Sequence, residues 1–131
     1  MSFESALHAI GTADATLNAL IAGRLVRDSL PLNYPLPAVV YRRVAGAPEM
    51  AHDGPAGVAI IRLQFDCWAD NAGTAEELAA AVEGAYGGYR ATAAGRKIDG
   101  SRVVANMSFP EPDTQLSRRI VDVRFLDAGS A

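Results

Sequence analysis

The stretch Val58-Ala59-Ile60-Ile61-Arg62-Leu63-Gln64-Phe65-Asp66-Cys67-Trp68-Ala69 decides the fold. It alternates strictly through its second half. Ala59, Ile61, Leu63, Phe65, Cys67 and Ala69 fall on one side, and Val58, Ile60, Arg62, Gln64, Asp66 and Trp68 on the other. Because strand side chains point alternately to opposite faces, this predicts a long strand with an apolar face and a second face that turns polar. The next residues, from about Ala75 to Tyr86, carry Ala75, Leu78, Ala79, Val82 and Ala85 at helical spacing. Thr74 and Glu77 have the spacing of a capping box, and Gly87-Gly88 closes the segment.

Outward from this unit, Ser2 is placed to cap a helix through about Ile10, with Gly11 as an interruption. Thr12 is the expected cap of a second helical piece with Asp14 in its first turn, Leu17, Leu20 and Ile21 as its apolar face, and Gly23 as its stop. Arg24 to Val26 suits a short strand. Residues 29–37 hold three prolines, which remove donors and fix φ, so they are an ordered loop or an extended edge. A strand is expected from Ala38 to Val44. Gly46 to Gly57 reads as a long connection, because Pro48, Pro55, Asp53 and Gly54 all favour turns. Further strands are expected over Lys97 to Ser108, broken at Asp99-Gly100, and over Gln115 to Leu126, with Ala128 to Ala131 as a frayed tail. The sum is a single α+β domain over residues 1–131: an antiparallel sheet of four to five strands with helices mainly on one face.

Composition narrows the function. The chain has 131 residues, half of them hydrophobic, yet no apolar run approaches the roughly 20 residues of a membrane span. Met1-Ser2-Phe3-Glu4 lacks the start of a signal peptide, and the single cysteine suits a reducing compartment. A net charge of −3 argues against binding nucleic acid through overall charge. Eleven of the twelve basic residues are arginine. GC-rich coding accounts for that bias, and so does use of arginine in protein contacts.

Reactive constellations are weak. Cys67 with His8 or His52 would need a thiolate in an electropositive, partly open setting, but the alternation puts Cys67 beside Leu63 and Phe65 as a buried thiol. Two histidines and one cysteine at these spacings make no metal site. Glu111 and Asp113 flank Pro112 and could serve acid–base chemistry, or stand solvated on a turn. We therefore expect no catalytic, cofactor or metal residue. Trp68 is open to two readings, edge packing or an interface anchor. The long connection from Arg43 to Pro55 is either a mobile tip or an arm that reaches a neighbour.

Several segments in order resemble the phage tail-completion proteins, or tail terminators: Ala13-Asp14-Ala15; Leu36-Pro37-Ala38-Val39-Val40-Tyr41; Asp53-Gly54-Pro55; Gln64-Phe65-Asp66-Cys67-Trp68-Ala69; and Glu111-Pro112-Asp113 ahead of Leu116, Arg118 and Arg119. The resemblance spans about Phe3 to Phe125. It implies a non-enzymatic subunit, without cofactors, that forms a ring, usually six-fold, at the head-proximal end of a long tail. Such a ring would stop tube polymerisation and join the head connector. Its implied partners are further copies of itself, the tail-tube protein and the connector or neck protein, with DNA passing through unbound and no membrane. The implied location is the host cytoplasm during assembly and then a phage, prophage-derived or gene transfer agent particle. Expected interface residues are Arg43, Glu49, His52, Asp53, Arg62, Gln64, Asp66, Trp68, Glu111, Asp113, Arg118 and Arg124. The alternatives are another neck or head-completion protein, or a small enzyme or ligand-binding domain using Cys67 or the Glu111/Asp113 pair.

Overall fold

The computed structural model describes residues 2–51, 54–111 and 116–130. Elements follow in the order α1 (Phe3–Ala13), α2 (Ala15–Ile21), β1 (Leu25–Arg27), β2 (Ala38–Ala51), β3 (Gly54–Ala69), α3 (Ala72–Tyr86), β4 (Ala91–Ala93), β5 (Arg96–Glu111) and β6 (Leu116–Ser130). The fold is α+β, with helices against one face of the sheet. The sheet is larger than expected and mixed: six strands in the order β1-β2-β3-β6-β5-β4, with β1 parallel to β2 and every other pair antiparallel. The parallel pair arises because the proline-rich segment 28–37 forms no helix or strand and carries the chain back, so that β2 starts alongside β1 and runs in the same direction.

Gly11 does not interrupt α1. The helix runs through it to Ala13, and the glycine is needed for a close approach: a Cβ there would lie 2.6 Å from Leu25 Cδ2 and would collide with the Tyr86 hydroxyl. That hydroxyl crosses from α3 to donate to the Leu7 carbonyl at 2.7 Å, tying the two helices together inside the core. Asp14, not Thr12, caps α2, with its Oδ1 accepting from Leu17 N at 2.9 Å. Thr12 instead donates back to the His8 carbonyl. At α3 the cap is Asn71, whose Oδ1 accepts from Thr74 N, so Thr74 already lies inside the first turn and the expected box is not formed.

The expected loop from Gly46 to Gly57 is mostly ladder. β2 and β3 stay paired through Gly46↔Ile61, Pro48↔Ala59 and Met50↔Pro55 to Ala51↔Gly54. Its prolines are tolerated for a positional reason. β1 covers β2 only at Val39–Tyr41, and β6 covers β3 only from Ala59, so Pro48 and Pro55 each face a partner strand on one side alone. Register shifts fall between Arg43 and Ala45 and between Pro48 and Met50. Likewise Asp99-Gly100 does not break β5 but coincides with a register shift between Ile98 and Gly100. The segment expected to fray continues β6 to Ser130, paired with Arg96, and the Arg96 guanidinium grips the buried Asp127 carboxylate through Nε and Nη2 at 3.0 and 2.6 Å.

The core sits between the helices and the first face of β3. Phe65 stacks on Tyr86 at 4.4 Å between centroids, Phe3 meets Phe125 edge-on at 5.3 Å, and Leu63, Cys67, Leu78, Val82, Val121 and Val123 are fully enclosed around them.

Candidate assembly interface

Among the described residues, no helix packs on the sheet's second face. The register brings three rows together there. Trp68 on β3 stands opposite Arg118 on β6, which stands opposite Phe109 on β5. The Arg118 guanidinium lies 5.0 Å from the centroid of each ring, so an arginine is layered between two aromatic faces. Phe109 and its neighbour along the face, Met107, remain 42% and 43% exposed, an apolar margin beside the charged rows.

The second row centres on Asp66. Its side chain is 4% exposed and receives Arg42 Nη2 at 3.1 Å, Arg118 Nη1 at 3.3 Å and Gln64 Nε2 at 2.8 Å. Enclosing a carboxylate in this way is costly without such partners. In the third row Asp122, also buried, accepts from Arg62 Nη2 at 2.7 Å through Oδ2, while its Oδ1 has no hydrogen-bond partner among the described residues. Arg62, Arg124 and Arg102 stand directly opposite one another across β3, β6 and β5, and all three are exposed.

The structure thus gathers six of the expected interface residues on one face: Arg62, Gln64, Asp66, Trp68, Arg118 and Arg124. Arg43 is not with them. It points to the helix side, paired with Glu4 at 2.7 Å and 6.0 Å from the Phe3 ring. Glu49 lies at the register shift in β2, and Glu111 ends β5 opposite Leu116. His52, Asp53 and Asp113 lie outside the described residues. Arg42, Arg102, Met107 and Phe109 also belong to the face without having been singled out. The alternation of Val39 and Tyr41 with Val40 and Arg42 was a usable signal for the first. The others depend on the register of β5, which its bulges obscure.

The candidate chemistry on Cys67 loses its premise. The thiol is fully buried, its Sγ lies 4.0 Å from the Phe65 carbonyl oxygen, and burial, aided by the Asp66 charge, pushes its pKa far above the ordinary thiol range. It stays a neutral thiol at physiological pH. Among the described residues, no group of three or more His, Cys, Asp or Glu side chains is placed to hold a metal ion. Among the described residues, no helix is long and apolar enough to cross a membrane.

These features define a small α+β protein whose uncovered sheet face is organised by ion pairs and aromatic contacts. The chain belongs to the family of the tail completion protein gp17, whose model matches residues 5–126. It is therefore a structural protein of phage-type tails. Among solved structures it is similar to a chain of the virion of a native gene transfer agent particle, with a TM-score of 0.74 and 20% identity over 96% of this chain and 94% of that one, which shows a shared fold. No curated protein sequence matches it.

Proposed function

We propose that this protein is a tail terminator: copies of it close into a ring, in the usual case a hexamer, on the head-proximal end of the tail tube. The ring stops further polymerisation and presents a surface to the connector or neck protein. The observation that carries the reading is family membership across nearly the whole chain. Two structural features support it. The open sheet face offers a patch for a neighbouring subunit, and the β2–β3 hairpin extends past the end of its pairing with β6 as an arm toward the tube or the next copy. A ring needs two different patches on one subunit that meet head to tail and close by rotation. The neighbour's place in a gene transfer agent virion fits the same role, in a phage or phage-like particle assembled in a bacterial host. A net-negative subunit suits a channel that DNA crosses without being held through its phosphates. We assign the protein no catalytic role. The expected interface residues Glu49, His52, Asp53, Glu111 and Asp113 remain candidates for the arm and the β5–β6 end.

Electron microscopy of particles made without the protein tests this. Overlong tails, or tails detached from heads, are expected. Tails of normal length joined to filled heads would overturn it.

A further inference from the structure

Two surfaces on opposite sides of the subunit carry charges without an ion-pair partner among the described residues. The first is the row Arg62, Arg124, Arg102. Directly opposite positions in antiparallel strands set Cβ atoms roughly 4.5–5.5 Å apart, and like charges so placed repel. Arg62 is offset by Asp122. Arg102 and Arg124 have no acidic partner among the described residues, and they flank a concavity of about 320 Å³ that also touches Gly100 and Leu126.

The second lies on the helix layer. A groove of about 670 Å³ runs between α2 and α3, with Leu20, Ala80, Ala81 and Gly84 as its apolar lining and the carboxylates of Asp14 and Glu77 also at its wall. Glu76, next to Glu77, is exposed, and neither glutamate has an ion-pair partner among the described residues. A groove with a small-residue floor and acidic walls suits an arginine, whose stem packs on apolar surface while its guanidinium forks onto carboxylate.

We propose that Arg102 and Arg124 of one copy dock into the α2–α3 groove of a second copy, against Glu77 and Glu76. This inference rests on the ring-forming reading and names the contact that would build the ring. The two surfaces are complementary in sign and differ in position, which makes the contact head-to-tail. It uses the arginines to join subunits, away from DNA.

Sedimentation velocity with charge-reversed variants tests the contact. Wild-type protein at low salt should self-associate, and association should weaken in about 1 M salt, where the screening length is about 3 Å. The R102E/R124E variant and the E76R/E77R variant should each associate more than about tenfold more weakly, since like charges then meet. An equimolar mixture of the two should regain association, because every junction is again of opposite sign. Circular dichroism confirms that both variants are folded. A wild type that stays monomeric at low salt overturns the contact, as does loss in the arginine variant with no loss in the glutamate variant, which would assign the row to another anion. Failure of the mixture to recover overturns it too. The terminator role is judged separately: normal particles without the protein, beside intact self-association, sink that role and leave the contact standing.

Discussion

The two faces of the sheet are built from the same strands by opposite means. On the helix side, β3 and β6 contribute Leu63, Phe65, Val121, Val123 and Phe125, all fully enclosed, and stability comes from apolar area removed from water. One residue along, on the other side, Asp66 and Asp122 are nearly as buried, yet what covers them is arginine side chains rather than a helix. The first face tolerates any well-packed set of apolar residues of similar volume. The second depends on particular pairs, because each enclosed carboxylate is costly once a partner is lost. A helix face that carries the folding energy leaves the other free to be specified by contact with other molecules.

Substitutions on the two faces should separate these roles. Phe65→Ala should have the largest effect on folding. It removes the ring stacked on Tyr86 and opens a cavity at the centre of the core, costing about 4 kcal/mol. Urea denaturation measures this, and a loss below about 1 kcal/mol would show that the aromatic cluster can collapse around the gap. Asp66→Asn tests the other face. It keeps the shape and removes the charge that two arginines and Gln64 address, so a loss of about 3 kcal/mol is expected. Arg42→Ala should cost under about 1 kcal/mol, because Arg42 is 40% exposed and its bond to Asp66 is screened by water. If Arg42→Ala costs as much as Asp66→Asn, the pair is effectively buried and the face is less open than its geometry indicates.

Phe109→Ala comes next. Removing one of the two rings around Arg118 should lower stability by only about 1 kcal/mol. Phe109 is also an exposed apolar residue at the margin of the face, so its loss should show more clearly in assembly than in denaturation. A pull-down or sedimentation comparison at matched folding would reveal the difference. Equal loss in both would make Phe109 a core residue of the sheet edge and nothing more.

The helix-side face was readable from residues 58–69 and 75–86 because period-2 and period-3.6 patterns report burial directly, and burial is what that face is made of. Placing Cys67 in the core followed from the same alternation. The arm was not readable. Gly and Pro normally mark loops, and Pro48 and Pro55 are compatible with strand only because each lies where the sheet has one neighbour instead of two, a fact that depends on strand order. Gly11 failed for a related reason: its missing side chain serves Tyr86, which is 75 residues away in sequence. The caps slipped by two or three residues because Thr12 and Asp14, or Asn71 and Thr74, offer the same oxygen at neighbouring positions. On the open face, Trp68 and Arg118 were both singled out, but their contact, and the part of Phe109 in it, exist only through a register that spans three strands.

The smallest effect on folding should come from the arm, and this separates stability from assembly most sharply. Deleting the ends of β2 and β3 beyond the Pro48↔Ala59 pair, from Glu49 to Ala51 and from Gly54 to Val58, with two residues left as the linker, removes ladder that β6 does not cover. Within the described residues, neither the aromatic cluster nor the Asp66 and Asp122 pairs use that segment. The midpoint of urea unfolding should therefore move by less than about 0.5 kcal/mol in stability. If the arm engages a neighbouring subunit or the tail tube, the shortened protein should fold normally and fail to restore tails of defined length to particles that lack the full-length chain. Normal tails from the shortened protein would remove the arm from the interface and leave the open sheet face as the contact surface. Loss of folding would instead mean that the hairpin, despite its single-sided pairing, supports the sheet.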